Sequence, residues 1–215
     1  MSEIKLRRQM VNASLELVAR GLNRGASGNL SVRFGAGFLI TPTGLSPEET
    51  APIDIVTMDL AGNWQGKCKP SSEWRFHRDI FAVRPEVNVV VHTHSMFATT
   101  LACVGLDIPA FHYMIAVAGG KDIRCAPYAT FGGQELSDHA VNALKDRKAC
   151  LLGNHGMIVL GDTLASALAL TEEVEALCEQ YWRTLQIGTP NLLADAEMEV
   201  VLEKFKSYGK PQKSN

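Results

Sequence analysis

Asn88-Val89-Val90-Val91-His92-Thr93-His94 is the stretch on which the reading of this chain turns. Its valines make a compact β-branched strand. Side chains two residues apart on a strand project to the same face, so His92 and His94 can converge on one point at its end. The triplet alone is compatible with two hydrogen-bonded histidines or with part of a metal tripod. A third imidazole is available at His155, in the glycine-flanked turn Gly153-Asn154-His155-Gly156 between the apolar runs Ala149 to Leu152 and Met157 to Leu160. A bulky polar ring has no core role in such a turn. Three imidazoles with an open position form a catalytic zinc arrangement.

Upstream, Ile4, Val11, Leu15, Val18 and Leu22 recur at helical spacing and predict an opening amphipathic helix, broken by Gly21, Gly25 and Gly28. Two alternating runs, 29–34 and 37–41, predict paired strands, and 53–59 predicts another that ends at Ala61-Gly62-Asn63. Pro70-Ser71-Ser72-Glu73 precedes Trp74, Phe76, Ile80 and Phe81 and reads as a capped helix start, stopped at Arg84-Pro85. Downstream, helices are expected over 95–104, 135–145, 163–187 and 195–206, with a loose polar tail at 209–215. Without repeats or linkers, residues 1–215 read as one α/β domain.

The length of 215 residues suits such a domain and is short for a (β/α)₈ barrel. A composition of 46% hydrophobic and 20% charged residues is that of an ordinary soluble protein. The formal net charge of −2 offers no footprint for nucleic acid or a membrane surface. Cys68, Cys103, Cys125, Cys150 and Cys178 are odd in number and unpaired in spacing, so reduced thiols, mostly in the core, are expected. The N-terminal residues lack an uninterrupted apolar stretch, which points to a cytoplasmic protein.

Glu73 is the natural carboxylate partner for the histidines. In a first helical turn it could simply stabilise the helix dipole, or it could be a general base beside a metal that moves a proton from carbon. The turns 25–29, 41–44 and 70–72 combine hydroxyls, an amide and flexible backbone. Such turns can aim N–H groups at a phosphate, although none is a Walker A loop and each could be a plain turn. His77 and His139 fall within expected helices among polar neighbours and are assigned to solvated surface. His112 adjoins Tyr113 but is not expected to be a ligand.

In order, Ser27-Gly28-Asn29-Leu30-Ser31, Thr41-Pro42-Thr43-Gly44, Pro70-Ser71-Ser72-Glu73, His92-Thr93-His94 and Asn154-His155-Gly156 resemble the signature of the class II aldolase/adducin family. The likeness continues through 108–113, 125–132 and 202–209, nearly the whole chain. It implies a three-layer α/β/α fold around a largely antiparallel sheet, and a cyclic homotetramer with active sites at subunit interfaces. It further implies one zinc ion per subunit on His92, His94 and His155, with Glu73 beside it as a possible fourth ligand. Gly28, Asn29, Thr43, Gly44, Ser71 and Ser72 match the family's phosphate pocket. Tyr113 and Tyr208 match tyrosines that its aldolases bring to a neighbouring subunit's site.

The implied activity is reversible cleavage of L-fuculose 1-phosphate, or a related ketose 1-phosphate, to dihydroxyacetone phosphate and L-lactaldehyde. The metal would act as a Lewis acid on an enediolate, Glu73 would move the proton on carbon, and Tyr113 would serve the aldehyde oxygen. Relatives of the same fold that epimerise pentulose phosphates, dehydrate methylthioribulose phosphate or decarboxylate oxo-tetronate phosphates are the rivals. Glu rather than Asp at position 73 and the Phe111-His112-Tyr113 segment favour the aldolase. The retained His92, His94, His155 and Glu73 disfavour a non-enzymatic adducin-like binding module. A cupin would need an all-β chain with a glutamate soon after the histidine pair, and 95–104 contains no acid.

Overall fold

The structure is a computed structural model and describes residues 2–207. It opens with helix α1 (Glu3–Ala19), followed by strands β1 (Asn29–Phe34), β2 (Gly37–Ile40), β3 (Val56–Met58) and the short β4 (Trp64–Gln65). Helix α2 (Trp74–Val83), strand β5 (Val89–Thr93) and helix α3 (Met96–Cys103) carry the middle of the chain. A 3₁₀ segment (Tyr113–Ala118) leads to β6 (Arg124–Ala126), α4 (Gln134–Ala143), β7 (Ala149–Leu152) and β8 (Gly156–Gly161). Helices α5 (Leu164–Ile187) and α6 (Asp195–Ser207) complete the described chain.

The strands form one sheet in the order β4-β3-β2-β1-β5-β8-β7-β6. Every pairing is antiparallel except β6 with β7. Side-chain alternation splits the core into two layers. Val90, Ile158, Leu160, Phe38 and Ile40 face α2 and α4, meeting Phe76, Ile80, Leu136 and Ala140. Val89, Val91, Leu30 and Leu39 face α1 and the start of α5. Further along that second face, Met157, Val159 and Leu151 pack against α3 and the rest of α5. The valine-rich β5 is therefore central and buried on both sides, as expected of a strand without polar alternation.

Two local expectations change, and two short strands are added. The buried stripe of α1 is Leu6, Met10, Val11, Ala13 and Leu17, while Ile4 is 52% exposed and Leu15 also reaches solvent. Two apolar stripes overlap in this segment, and tertiary contacts select between them. Arg7, donating to the Ile55 carbonyl and to Thr57 Oγ1 (2.8 Å), fixes the rotation. The strand expected over 53–59 begins only at Val56, because Pro52–Asp54 winds into a 3₁₀ turn closed by Asp54 accepting the Ala51 N–H. Finally, β4 and β6 are short edge strands without a sequence period long enough to read.

Candidate active site

His92 is the penultimate residue of β5, fully buried, and lies opposite Asn29 of β1 and Ile158 of β8. Its Nδ1–H donates to the Met157 carbonyl (2.9 Å), which in the neutral ring leaves the lone pair on Nε2, the atom that meets His94 and Glu73. His94 follows just beyond the strand, where its backbone N–H donates to Asn23 Oδ1 (3.1 Å). Burial, reinforced by the neighbouring His92 and His155, lowers the His94 imidazole to about 4, so it is neutral at pH 7. His155 arrives from the β7–β8 turn, whose residue Asn154 takes the left-handed φ of 54° that asparagine tolerates. The adjoining Gly156 is required by space: a Cβ there would stand 2.3 Å from the Thr93 carbonyl oxygen and against both the His92 and His94 rings.

Glu73 decides between the two roles open to it. It stands one residue before α2 rather than within its first turn, and its carboxylate makes no cap to that helix. Instead the side chain is buried and aims at the histidines, with Oε2 3.2 Å from His92 Nε2 and Oε1 3.2 Å from His155 Nε2. Oε2 accepts from Asn29 Nδ2 (2.9 Å), whereas Oε1 has no aligned hydrogen bond among the described residues. Burial raises this carboxyl, whereas attraction to His92 and His155, which acts when those rings carry a proton, outweighs it and holds the group well below the ordinary carboxylate range.

Glu73, His92, His94 and His155 each offer one donor atom, all within 4.8 Å of one another. The Nε2 atoms of His92 and His94 are 3.0 Å apart. Donors bound at about 2.1 Å to a tetrahedral ion lie roughly 3.4 Å from one another, so the set closes around a metal with little adjustment. Neutral imidazoles and a carboxylate suit zinc and other first-row ions. A buried carboxylate among uncharged groups is costly, and a cation held by the histidines beside Glu73 offsets that cost.

The cluster forms one wall of a cavity of about 350 Å³. Gly28, Asn29, Thr43, Gly44, Ser71 and Ser72 line it beside Glu73, His94 and His155. All three anion-suited turns therefore meet at one place, next to the donor cluster. Gly28 has φ 75°, and a Cβ there would lie 2.3 Å from the Asn23 side chain that also holds His94. Asn23 thus couples the small-residue loop to a metal donor, a link invisible in sequence because 71 residues separate its ends. Tyr128, Phe131 and Asn154 also line the cavity. The first two are aromatic side chains left more than half exposed, a signal detectable only once burial is known.

Tyr113 does not line this cavity; it is 51% exposed and stacks on Phe205 (6.4 Å between ring centroids). Tyr208 and the expected tail lie outside the described residues. His112 accepts the Met114 N–H and His139 lies by the Pro127 carbonyl, both apart from the cluster. His77 corrects the sequence expectation. It is fully buried rather than solvated, because α2 turns it under the sheet, where Ser31 and Asn29 satisfy its ring nitrogens. The cysteines are free; Cys150 and Cys178 are core, whereas Cys103 is exposed.

The family model described as Class II Aldolase and Adducin N-terminal domain matches residues 8–182. The chain is 59% identical to the 5-methylthioribulose-1-phosphate/5-deoxyribulose-1-phosphate aldolase of Rhodospirillum rubrum, over 97% of this chain and 94% of that protein. It is 50% identical to the L-fuculose phosphate aldolase of Escherichia coli, over 97% and 98% of the two chains. Among solved structures, an L-fuculose 1-phosphate aldolase superposes with a TM-score of 0.91 at 40% identity, covering 94% of this chain and 96% of its own.

Proposed function

Since the chain belongs to the class II aldolase and adducin family, we propose that it cleaves a ketose 1-phosphate between carbons 3 and 4. The products are dihydroxyacetone phosphate and a short aldehyde. The observation carrying this is the meeting of Glu73 and three imidazoles with six hydroxyl, amide and glycine positions in one cavity. The metal is zinc in this reading, held by His92, His94 and His155 with Glu73 alongside. When bound it supplies Lewis-acid stabilisation of negative charge developing on substrate oxygens.

The chain's own residues supply the rest. Ser71, Ser72 and the backbone around Gly28 and Gly44 grip the phosphate, so that binding energy from the non-reacting end holds carbon 3 in place. Loss of the carbon 4 hydroxyl proton turns carbon 4 into the aldehyde and leaves the bond's electron pair on carbon 3, conjugated with the carbon 2 carbonyl. Glu73, ionised at rest, takes up a proton from solvent and delivers it to carbon 3, and in the synthetic direction removes it, while Tyr113 takes the carbon 4 hydroxyl proton. Tyr113, supplied from a neighbouring subunit of a homotetramer, exchanges the proton at the aldehyde oxygen. Tyr208 is assigned to the same neighbouring contribution, and the enzyme to the cytoplasm.

L-fuculose 1-phosphate is the substrate expected from sequence, and the 50% identical relative bears that name. The 59% identical relative is named for 5-methylthioribulose and 5-deoxyribulose 1-phosphates, and its higher identity supports testing these first. All three carry an apolar group at the end remote from phosphate, a chemistry suited to the exposed Tyr128 and Phe131. The test is a side-by-side panel of the three ketose 1-phosphates, a pentulose 5-phosphate and an oxo-tetronate phosphate. Dihydroxyacetone phosphate should appear from the ketose 1-phosphates, fastest from the ribulose pair. Carbon dioxide release or epimerisation without dihydroxyacetone phosphate would replace the aldolase by one of its rivals.

A further inference from the structure

Behind Glu73 runs a chain of buried polar groups that the proposed reaction does not use directly. Ser31 and His77 are fully buried, and Asn29 and Glu73 nearly so. Ser31 Oγ lies 2.6 Å from His77 Nδ1, His77 Nε2 lies 2.5 Å from Asn29 Oδ1, and Asn29 Nδ2 lies 2.9 Å from Glu73 Oε2. The direction of every bond follows from chemistry. An ionised carboxylate only accepts, so the Asn29 atom facing Glu73 must be the amide nitrogen. The atom facing His77 is then the amide oxygen, which requires a proton on His77 Nε2. In the neutral ring Nδ1 becomes the acceptor for the Ser31 hydroxyl. Burial, with the neighbouring His92 adding to it, lowers the His77 imidazole to about 3, so the neutral ring is the form present at pH 7.

We propose that His77 is a positioning residue: its Nε2–H holds the Asn29 amide in one orientation, and that amide anchors Glu73 Oε2 and leaves Oε1 as the oxygen that carries the proton. Without a donor at His77 Nε2 the amide is free to turn over. A turned amide presents its oxygen to the carboxylate and repels it. The consequence reaches the reacting carbon because Oε2 is engaged by Asn29, whereas Oε1 makes no aligned hydrogen bond among the described residues. Asn29 also lines the cavity beside Gly28 and Ser71, so the same amide orientation ties the acid–base group to the anion-binding end.

This inference rests on Glu73 acting as the proton carrier, and the experiment separates the two. Wild-type protein, metal-loaded, is incubated with dihydroxyacetone phosphate in deuterated water, and exchange at its hydroxymethyl carbon is followed. Absence of exchange in wild type would remove the aldolase reading itself. With exchange present, His77→Met, similar in bulk but without the donor, should keep its metal while kcat for exchange falls between about ten- and a hundredfold, with a smaller rise in KM because Asn29 also lines the anion-binding end. His77→Gln places an amide N–H near the position of Nε2 and should restore exchange to within about threefold of wild type. A folded, metal-loaded His77→Met with wild-type exchange would overturn the proposal, as would Gln behaving no better than Met. A second readout needs no turnover. In the ¹⁵N spectrum of histidine-labelled wild type, the ring absent from His77→Gln should show a neutral imidazole protonated at Nε2 and bare at Nδ1. The opposite tautomer, or an imidazolium at pH 7, would also overturn it.

Discussion

At the residue scale, the informative side chain is Glu73, because position and geometry give different answers about it. Next to the start of α2 it reads as a helix-stabilising charge, yet its carboxylate points away from the helix into the histidine cluster. Glu73→Gln keeps the shape and the Asn29 contact but cannot take a proton from carbon. Exchange at dihydroxyacetone phosphate should fall by about 10²–10⁴-fold while at least one equivalent of metal is retained, since three imidazoles remain. Metal analysis and exchange on the same sample check this; normal exchange would dismiss Glu73 from its role. His77 shows the limit of reading residues singly. Polar neighbours along the helix suggested a wet ring, but the helical period alone does not say which face the sheet will cover.

Helix α3 illustrates how elements hold the site. It begins two residues after His94, and Ser95 at its cap makes no side-chain bond to its own first turn. Its N-terminus is capped instead from α5. Glu175 accepts from the backbone N–H groups of Phe97 (2.7 Å) and Ala98 (2.9 Å) and from Ser95 Oγ (2.7 Å). A carboxylate there both satisfies otherwise unpaired donors and opposes the positive end of the helix dipole. Glu175→Ala should cost about 1–3 kcal/mol, read as a lower urea midpoint, and Glu175→Gln should recover part of it. An unchanged midpoint in the alanine variant would show that α3 does not depend on this clamp. The α3 helix itself was legible from sequence, but its cap comes from 80 residues downstream and carries no local signature.

On the scale of the whole molecule, the metal donors come from the start of α2, the end of β5 and the β7–β8 turn, so occupancy links segments that folding must first assemble. At an ion concentration a hundredfold above Kd such binding stabilises by about 2.7 kcal/mol. For a chain of this size each kcal/mol corresponds to roughly 2–4 °C in Tm. Chelation should therefore lower Tm by roughly 5–11 °C and abolish cleavage, with both restored by zinc. Full activity in metal-stripped protein would contradict the role given to the cluster. Sequence by itself determined the elements with strong periods, the order of the motifs, the three histidines and the carboxylate, because these depend on local geometry and on residue chemistry. Tertiary structure decided which stripe of α1 is buried, that His77 is dry, that Glu73 serves the histidines instead of its helix, and that Asn23 joins Gly28 to His94. Those outcomes rest on contacts between residues far apart in the chain, and no local pattern encodes which of several equally helical or equally polar faces the sheet will claim.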